Sequence, residues 1–581
     1  MRTSKMINHS NYKYIFITFI ALFITASCSE KQTVQETAHY DKIIRGGIVY
    51  DGLGSSGKIV DVAINDDRIA AIGDLGQAVG DTEIDASGLA VSPGFINMLS
   101  WAAEPLIYDG RGMSDIKQGV TLEVFGEGSS PGPLNAEMKQ HEIDIQGEMK
   151  YDVNWNSLGE FLSYAEKKGI TPNVASYIGA TTVRINELGY DNRLPNEEEL
   201  KNMQQLVIDA MNEGALGVGS SLIYAPASYS NTAELIALSK AASVCGGSYI
   251  SHMRSEGNKL EEAVDELLTI AREANIPAEI YHLKAAGKEN WPKLDNVIAK
   301  IEAARAEGLN IRANMYSYTA GSTGLDAMIP PWIQEGGIKS WIANMQDPEL
   351  RAKALKEMRD PNRDWESLGA ASGYENVVLV GFDNPDLRPL TGKRLTEIAE
   401  MRGSSPEETA MNLVAENGAD VSTVYFMMSE ENIKKKLNLP WVSFGSDARA
   451  IPNEGIFRHS STHPRTYGNF ARVLGKYVRD ENVLPLSEAI RRMTSLPAEN
   501  LKIANRGALK VGYFADMAIF DPATIKDVAT YENPHQYAMG MKHVFVNGTQ
   551  VLKDGEHTGN FPGRFVKRDG WQNQCSLADV K

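Results

Sequence analysis

Two histidines and two carboxylates stand directly after short apolar runs that have the composition of β-strands. His252 ends one run, His282 follows the next, and a segment with helical periodicity, 260–274, separates them. Glu127 and Asp447 follow two further runs of the same kind. If these runs are strands of a (β/α) barrel, their carboxyl ends open onto one face, so the four side chains converge there.

This combination predicts a divalent metal site with a general base. Imidazole nitrogens and carboxylate oxygens are ligands that Zn²⁺ accepts, and a free carboxylate beside the ion can take a proton from water. Each side chain also has a plainer interpretation: a buried histidine satisfied by hydrogen bonds, an aspartate that caps a helix, or a glutamate in a turn. A second histidine one strand–helix unit later favours the metal site.

Strand-like and helix-like segments alternate through the middle of the chain. Residues 173–179, 215–219 and 309–316 are predicted strands, and 197–212 and 233–242 have helical periodicity. Such alternation is typical of a parallel sheet covered by helices. We therefore predict an α/β fold, a deformed TIM-like (β/α)8 barrel.

β-rich segments flank this central region on both sides. Residues 42–92 and 506–568 contain short β runs and Gly-rich turns, and we predict that they form one small β-sandwich domain. The barrel then occupies 93–505. It carries a charged, largely helical insertion at about 330–436, which fits a lid and an inert decoration equally well. Residues 569–581 are predicted to form a C-terminal tail.

The composition is that of a globular protein with an acidic balance. The 581 residues carry 58 Lys and Arg against 75 Asp and Glu, a formal net charge of −17. Nucleic-acid binding is not expected, because there is no basic surplus to neutralise phosphates.

The N-terminus is predicted to be a targeting segment. An apolar run, 15–26, follows basic residues and has the length of a signal-peptide core. It ends in Thr-Ala-Ser-Cys, which resembles a bacterial lipoprotein signal with Cys28 lipidated, although Thr25 replaces the usual aliphatic residue. An ordinary secretory signal with an incidental cysteine is the alternative. On the lipoprotein interpretation 1–28 is the signal and 29–41 a linker. The lipid then anchors an exported protein to a membrane of a bacterial cell envelope, on its periplasmic side or surface.

Two further cysteines, Cys245 and Cys575, lie far apart in the sequence. Their spacing suggests no framework of disulfides. Cys245 stands among small apolar residues and is expected to serve packing.

Several motifs occur in a fixed order along the chain. They include Ser-His-Met-Arg-Ser-Glu at 251–256, His-Leu-Lys-Ala-Ala-Gly at 282–287, Tyr-Thr-Ala-Gly-Ser-Thr at 318–323, Gly-Ser-Asp at 445–447, His-Pro-Arg at 463–465 and Thr-Gly-Asn-Phe-Pro-Gly at 558–563. In these motifs the chain resembles the N-acyl-D-amino-acid deacylases (D-aminoacylases) of the amidohydrolase superfamily. The resemblance covers nearly everything from Lys42 to Arg568.

The resemblance implies a deformed barrel with a small β domain and zinc-dependent hydrolysis of an N-acyl amide, with one tightly bound Zn²⁺. His252 and His282 match the family's zinc-binding histidines, and Asp447 matches its general base. Lys284 and Tyr316 match positions that help to hold the substrate carboxylate. The implied substrate is a small anionic molecule, an N-acyl-D-amino acid.

Two departures from the family pattern affect the metal site. The family's first barrel strand usually ends Asp-x-His-x-His, but this sequence has Asn97-Met-Leu99-Ser-Trp101, and neither Leu nor Trp can ligate zinc. The weaker, outer metal position is therefore expected to be lost. The family's Asn-Cys pair is replaced by Glu127-Gly128, and Glu127 is expected to supply an oxygen ligand in place of the sulfur.

Two arginines also point to an anionic substrate. The guanidinium groups of Arg254 and Arg449 can bind a carboxylate in a bidentate fork, and structural salt bridges are the alternative. A different amidohydrolase activity, such as a dipeptidase or cyclic amidase, and a non-catalytic ligand-binding relative remain open. The sequence does not indicate the acyl chain, the amino-acid side chain or the oligomeric state.

Overall fold

Parallel strands close into an eight-stranded barrel in the computed structural model, which describes residues 37–418, 421–572 and 574–580. The backbone N–H of Met98 donates to the carbonyl of Phe444, which joins the first barrel strand to the last. The predicted α/β barrel is therefore confirmed. In chain order its strands are Phe95–Asn97, Val120–Phe125, Asn173–Ser176 continued by Ile178–Gly179, Gly217–Ser221, Ser248–His252, Ala278–Ile280, Ile311–Met315 and Val442–Phe444.

Helices between these strands cover the barrel, and local sequence fixes their ends. The helix Glu197–Glu213 begins after Asn196, whose side chain accepts hydrogen bonds from the N–H groups of Glu198 and Glu199. It ends at Gly214, which adopts φ +116°. The covering helices are Leu158–Lys168, Ala180–Leu188, Glu197–Glu213, Thr232–Val244, Leu260–Glu273, Lys293–Ala306, Arg465–Arg472, Leu486–Met493 and Ser495–Asn500, and shorter ones span Ala103–Tyr108, Met113–Ile116 and Ala136–Asp144.

The two β-rich chain ends share one nine-stranded sheet beside the barrel. Ala90–Pro93 pairs antiparallel with Met517–Phe520, and this pairing connects the N-terminal and C-terminal halves of the sheet. The common sheet agrees with the predicted fold. Its N-terminal strands are His39–Val49, Lys58–Asn65, Arg68–Gly73, Val79–Asp85 and Ala90–Pro93, and its C-terminal strands are Met517–Phe520, Met541–Val546, Thr549–Lys553 and Glu556–His557.

The insertion before the last barrel strand has its own hydrophobic core and is not purely helical. Two of its strands, Val377–Gly381 and Ser422–Phe426, pair antiparallel, and Ala320–Gly324, just before the insertion, pairs with Ser422–Phe426. The expectation of a largely helical insertion was therefore incomplete, because two short β-branched runs were overlooked among charged helical segments. The helices are Gly337–Gln346, Pro348–Arg359, Leu368–Ser372, Leu395–Arg402, Pro406–Asn417 and Glu430–Leu437.

Cys245 and Cys575 form a disulfide across a sequence separation of 330 residues. The expectation that Cys245 serves only packing was wrong. The bond ties the C-terminal tail to the end of the helix Thr232–Val244, and Asn212 supports it by accepting a hydrogen bond from the N–H of Cys575. The pairing connects segments that the chain brings together only in the folded state, so spacing could not reveal it.

The predicted signal peptide, the lipidation site Cys28 and most of the linker lie outside the described residues. Within the part of the chain that the structure describes, no helix combines the length and the apolar character needed to cross a membrane.

Candidate metal centre and active site

Glu127, His252 and His282 meet at the carboxyl-terminal mouth of the barrel. Oε1 of Glu127 lies 3.1 Å from Nδ1 of His252 and 2.8 Å from Nε2 of His282. The two imidazole rings are nearly perpendicular, with centroids 4.6 Å apart. All three side chains are buried, and among the described residues they are the one such group with ligand atoms close enough to share an ion. The structure thus brings together the three residues predicted to be metal ligands.

The charge distribution in this cluster suits a divalent cation. Burial alone would raise the pKa of Glu127, but His282 and His252 overcome that effect and hold the pKa far below its usual range. Burial and Lys284 oppose protonation of His282, whereas Glu256 and Glu127 favour it and raise its pKa to about 9. Carboxylates therefore surround two imidazoles, and a metal ion can take the place of the ring protons. Two histidines and one glutamate are a ligand set found at catalytic zinc sites.

Gly128, the residue after Glu127, leaves no room for a side chain of its own. Its φ is +73°, and a Cβ added there would lie 2.5 Å from Cβ of Ser221. A cysteine at this position would be strained in its backbone and would collide with the neighbouring strand. Glu127 reaches the histidines from one residue earlier, because its side chain is longer than that of cysteine.

Glu256 is a buried carboxylate behind the two histidines. Its oxygens lie 2.7 and 2.8 Å from Nζ of Lys284, 3.0 Å from Nδ1 of His282 and 3.5 Å from Nε2 of His252. Nζ of Lys284 also lies 2.7 Å from Nδ1 of His282. With a metal ion on Nε2 of His282, Nδ1 would carry the ring proton and could donate it to Glu256. Glu256 ends the motif at 251–256, but no role was predicted for it, because its partners come from the next strand–helix unit.

Asp447 follows the last barrel strand with φ +51°. Nε1 of Trp101 donates a hydrogen bond of 3.1 Å to Oδ1, and Nη1 of Arg465 lies 2.7 Å from Oδ2. Burial raises the pKa of Asp447, Arg465 lowers it, and the nearby charge of Glu127 raises it further, so the net direction is upward. The predicted general base therefore lies at the same mouth, held by a hydrogen bond to one oxygen and an ion pair with the other.

Arg465 ends the motif His-Pro-Arg at 463–465, and no role was predicted for it either. It is buried, and its Nη2 donates to the carbonyl of Ser322 at 3.1 Å. Neither its Nε nor its Nη1 has a hydrogen-bond partner, although Nη1 forms the ion pair with Asp447. Its guanidinium carbon lies 4.5 Å above the ring of Tyr316. Burial raises the pKa of Tyr316 well above its usual range, so its hydroxyl remains a hydrogen-bond donor. A buried guanidinium with a free donor beside the general base is a natural anion-binding group.

The two arginines predicted to bind substrate lie in different settings. Arg254 forms a two-pronged ion pair with Glu266, at 2.9 and 3.0 Å, and also donates to the carbonyls of Ser228 and Ser230. Arg254 therefore holds the 227–230 loop in place. A substrate carboxylate would have to compete with Glu266 and these carbonyls for its guanidinium group. Arg449 is exposed, two residues beyond Asp447. A role for either in substrate binding stays a prediction.

A cavity of about 90 Å³ adjoins Trp101. Trp101, Tyr151 and Trp155 contribute aromatic walls, and Glu104 and Glu142 contribute carboxylates. Burial and the charge of Glu104 raise the pKa of Glu142 to about 7. The cavity is thus apolar with a small acidic part.

A barrel with a buried cluster of candidate metal ligands at its mouth is typical of metal-dependent hydrolases. The sequence agrees, because residues 170–552 match the model of the amidohydrolase family. The chain belongs to the N-acyl-D-amino-acid deacylase (D-aminoacylase) family of that superfamily. It is accordingly a hydrolase that acts on non-peptide carbon–nitrogen bonds.

Three relatives illustrate the similarity. D-aminoacylase of Alcaligenes xylosoxydans xylosoxydans is 32% identical, over 91% of this chain and 98% of its own. A solved D-aminoacylase has a TM-score of 0.76 and 30% identity, over 91% of this chain and all of its own. It is described as having a binuclear metal centre, with activation by one metal and attenuation by a second. N-acyl-D-glutamate deacylase from Bordetella bronchiseptica, solved with zinc and a phosphonate inhibitor, has the same TM-score and coverage at 27% identity.

Proposed function

We propose that this protein hydrolyses the amide bond of N-acyl-D-amino acids with one tightly bound zinc ion, releasing a carboxylic acid and a D-amino acid. The proposal rests on the meeting of Glu127, His252 and His282 beside Asp447 at the mouth of the barrel. The substrate class and the metal are supported by relatives that are named as D-amino-acid deacylases, one of them solved with zinc.

Glu127, His252 and His282 are the residues that would hold the ion. Zinc bound by such a set lowers the pKa of a bound water to about 7 and polarises the acyl carbonyl. Glu256 keeps the ring of His282 turned so that Nε2 faces the site, through its 3.0 Å contact with Nδ1.

Asp447 moves the proton during the reaction. It accepts a proton from the attacking water, whose oxygen forms the new bond to the acyl carbon. It then returns the proton to the amide nitrogen as the carbon–nitrogen bond breaks, so the nitrogen leaves as an amine. Burial, which raises the pKa of Asp447, helps it to retain the proton between the two transfers.

A cationic group beside Asp447 holds the carboxylate of the amino acid. Arg465 fits this task, because it is buried, has an unpartnered Nε and lies against Tyr316. Tyr316 and Lys284 complete the group, although Lys284 is already paired with Glu256 and contributes less free charge. Binding of the substrate's carboxylate thereby places its acyl carbon next to Glu127, His252 and His282.

A substrate panel tests the proposal. Purified zinc-loaded protein is assayed with N-acetyl-D-amino acids, the matching L forms, dipeptides and cyclic amides. We expect hydrolysis of the D forms, loss of activity on chelation, and recovery on addition of zinc. A preference for the L forms, or unchanged activity of a His252→Ala variant, would refute it.

We further propose that the protein is exported and anchored through a lipid on Cys28. The disulfide between Cys245 and Cys575 supports export, because such bonds form and persist in oxidising compartments. Metabolic labelling with a palmitate analogue tests the anchor. Label should appear on wild-type protein in the membrane fraction and be lost from Cys28→Ser, and label-free wild type would contradict the anchor.

A further inference from the structure

Each oxygen of Asp447 lies next to a nitrogen of the protein: Oδ1 accepts a hydrogen bond, and Oδ2 lies in an ion pair. The indole Nε1 of Trp101 donates to Oδ1 at 3.1 Å, and Nη1 of Arg465 lies 2.7 Å from Oδ2. A carboxylate has about four acceptor sites, so each oxygen keeps one for the proton that it transfers. A cation that approached Asp447 would meet the positive charge of Arg465 on one side and the N–H of Trp101 on the other, and both disfavour its binding.

The backbone fixes the indole in this position. The N–H of Trp101 donates to the carbonyl of Ala448 at 2.9 Å, and the N–H of Asp447 donates to the carbonyl of Leu99 at 2.9 Å. These bonds flank a parallel bridge between Ser100 and Ala448 at the closure of the barrel. These bonds fix the backbone of Trp101 against that of Asp447, although 39% of Trp101 is exposed.

The strand end that carries Trp101 offers no side-chain ligand to a second ion. Leu99 is apolar and buried at 1% exposure, and an indole nitrogen donates a proton but has no lone pair for a metal. Across residues 37–418, 421–572 and 574–580, Glu127, His252 and His282 are the one group of side chains spaced to share an ion.

We propose that Trp101 is a positioning residue that stands where a second metal ion would otherwise bind: its N–H orients Asp447, and its ring excludes the ion. The inference rests on the proposed zinc hydrolase function. It implies that the protein works with one ion and keeps its rate when metal is in excess. The D-aminoacylase described as attenuated by a second metal provides the contrast.

Metal stoichiometry is the first test. Elemental analysis of wild-type protein equilibrated with excess zinc should give one tight ion per chain, and the rate should stay constant from one to ten equivalents. The variant Leu99→His/Trp101→His should bind two ions, and Trp101→His alone serves if the double variant does not fold. Two tight ions in the wild type, or one ion in a folded histidine variant, would overturn the proposal.

The second test removes only the donor. Trp101→Phe keeps a ring but loses the N–H, so kcat should fall about tenfold with little change in KM and with metal content still at one. Trp441→Phe is the matched control, because the buried indole nitrogen of Trp441 has no hydrogen-bond partner. Equal kcat in Trp101→Phe and wild type would show that Trp101 does not position the base.

The two tests separate failure of this inference from failure of the proposed function. Stoichiometry is read without a substrate, so it remains decisive even if N-acyl-D-amino acids are not hydrolysed. If they are hydrolysed and two ions bind, the function stands and the inference falls.

Discussion

Both carboxylate oxygens of Glu256 accept hydrogen bonds from the ammonium group of Lys284, at 2.7 and 2.8 Å. Both side chains are buried at the mouth of the barrel. The pair lies directly behind His282, whose Nδ1 is 3.0 Å from Glu256. Since both partners are buried, neither can be removed without leaving an uncompensated charge beside the metal ligands. The pair thereby links the predicted substrate lysine to the metal cluster.

Glu256→Gln should weaken zinc binding by about 10- to 100-fold, because the amide is a poorer acceptor for the imidazole proton. Competition with a chromogenic chelator measures the affinity directly. Glu262→Gln, on the exposed face of the helix Leu260–Glu273, is the control and should bind zinc like wild type. Unchanged affinity in Glu256→Gln would remove its assigned role.

Glu127→Gln should lower zinc affinity by roughly 100-fold or more, because a neutral amide replaces the anionic ligand. The readout is the rise in melting temperature that zinc produces, which should be large in wild type and small in the variant. Gly128→Cys should not restore the site, because a Cβ there would lie 2.5 Å from Cβ of Ser221. A zinc response of wild-type size in Glu127→Gln would contradict its assignment as a ligand.

Arg465→Lys should reduce kcat/KM for an N-acyl-D-amino acid by roughly 10- to 100-fold, because a lysine cannot reproduce the guanidinium fork. The corresponding carboxamide substrate lacks the anion and serves as the internal control. The acid should lose more than the amide when the two substrates are compared in the same variant. Equal losses would assign Arg465 to the support of Asp447 alone.

Removing the disulfide should destabilise the folded protein by about 2 kcal/mol, the low end of the usual range, because the bond mainly restrains the tail. Urea unfolding of Cys245→Ser and Cys575→Ser should give similar losses, and the reduced wild type should match them. Reductant should not change the stability of the double variant Cys245→Ser/Cys575→Ser. Two free thiols in the purified wild type, shown by mass spectrometry, would exclude the bond.

Glu142→Gln should stabilise the protein at pH 8 but not at pH 5. Burial and Glu104 raise the pKa of Glu142 to about 7, so the folded state binds this proton more tightly than the unfolded chain. The tighter proton binding stabilises the folded state fully below about pH 4.5, and this stabilisation is lost as the pH rises through 7. We expect a gain of about 1–2 kcal/mol at pH 8 by urea unfolding.

The exposed Glu137, on the same helix, provides the control for this pH dependence. Glu137→Gln should leave stability almost unchanged at both pH values. Equal effects of the two substitutions would mean that Glu142 ionises freely in the folded protein.

The barrel and the cluster of Glu127, His252 and His282 could be predicted because short stretches of sequence mark each strand and the residue at its end. Each ligand follows a short strand, and a barrel places all strand ends on one face. Replacement of a sulfur ligand by Glu127 was expected from residue chemistry, and the structure places its carboxylate between His252 and His282.

Other features depend on contacts that no local pattern contains. Glu256 lies four residues after His252, yet its partners His282 and Lys284 come from the next strand–helix unit. Arg465 reaches Asp447 only because the chain returns to the barrel mouth after its last strand. For the same reason the pairing of Cys245 was not foreseen, since its partner lies at the far end of the chain.

The nine-stranded sheet has a consequence for biogenesis. Ala90–Pro93 is made early, but its antiparallel partner Met517–Phe520 leaves the ribosome near the end of synthesis. Until then the early strands present an open edge, which is a template for aggregation. Translation must therefore be almost complete before the sheet can close, and the early strands need protection from other chains until then.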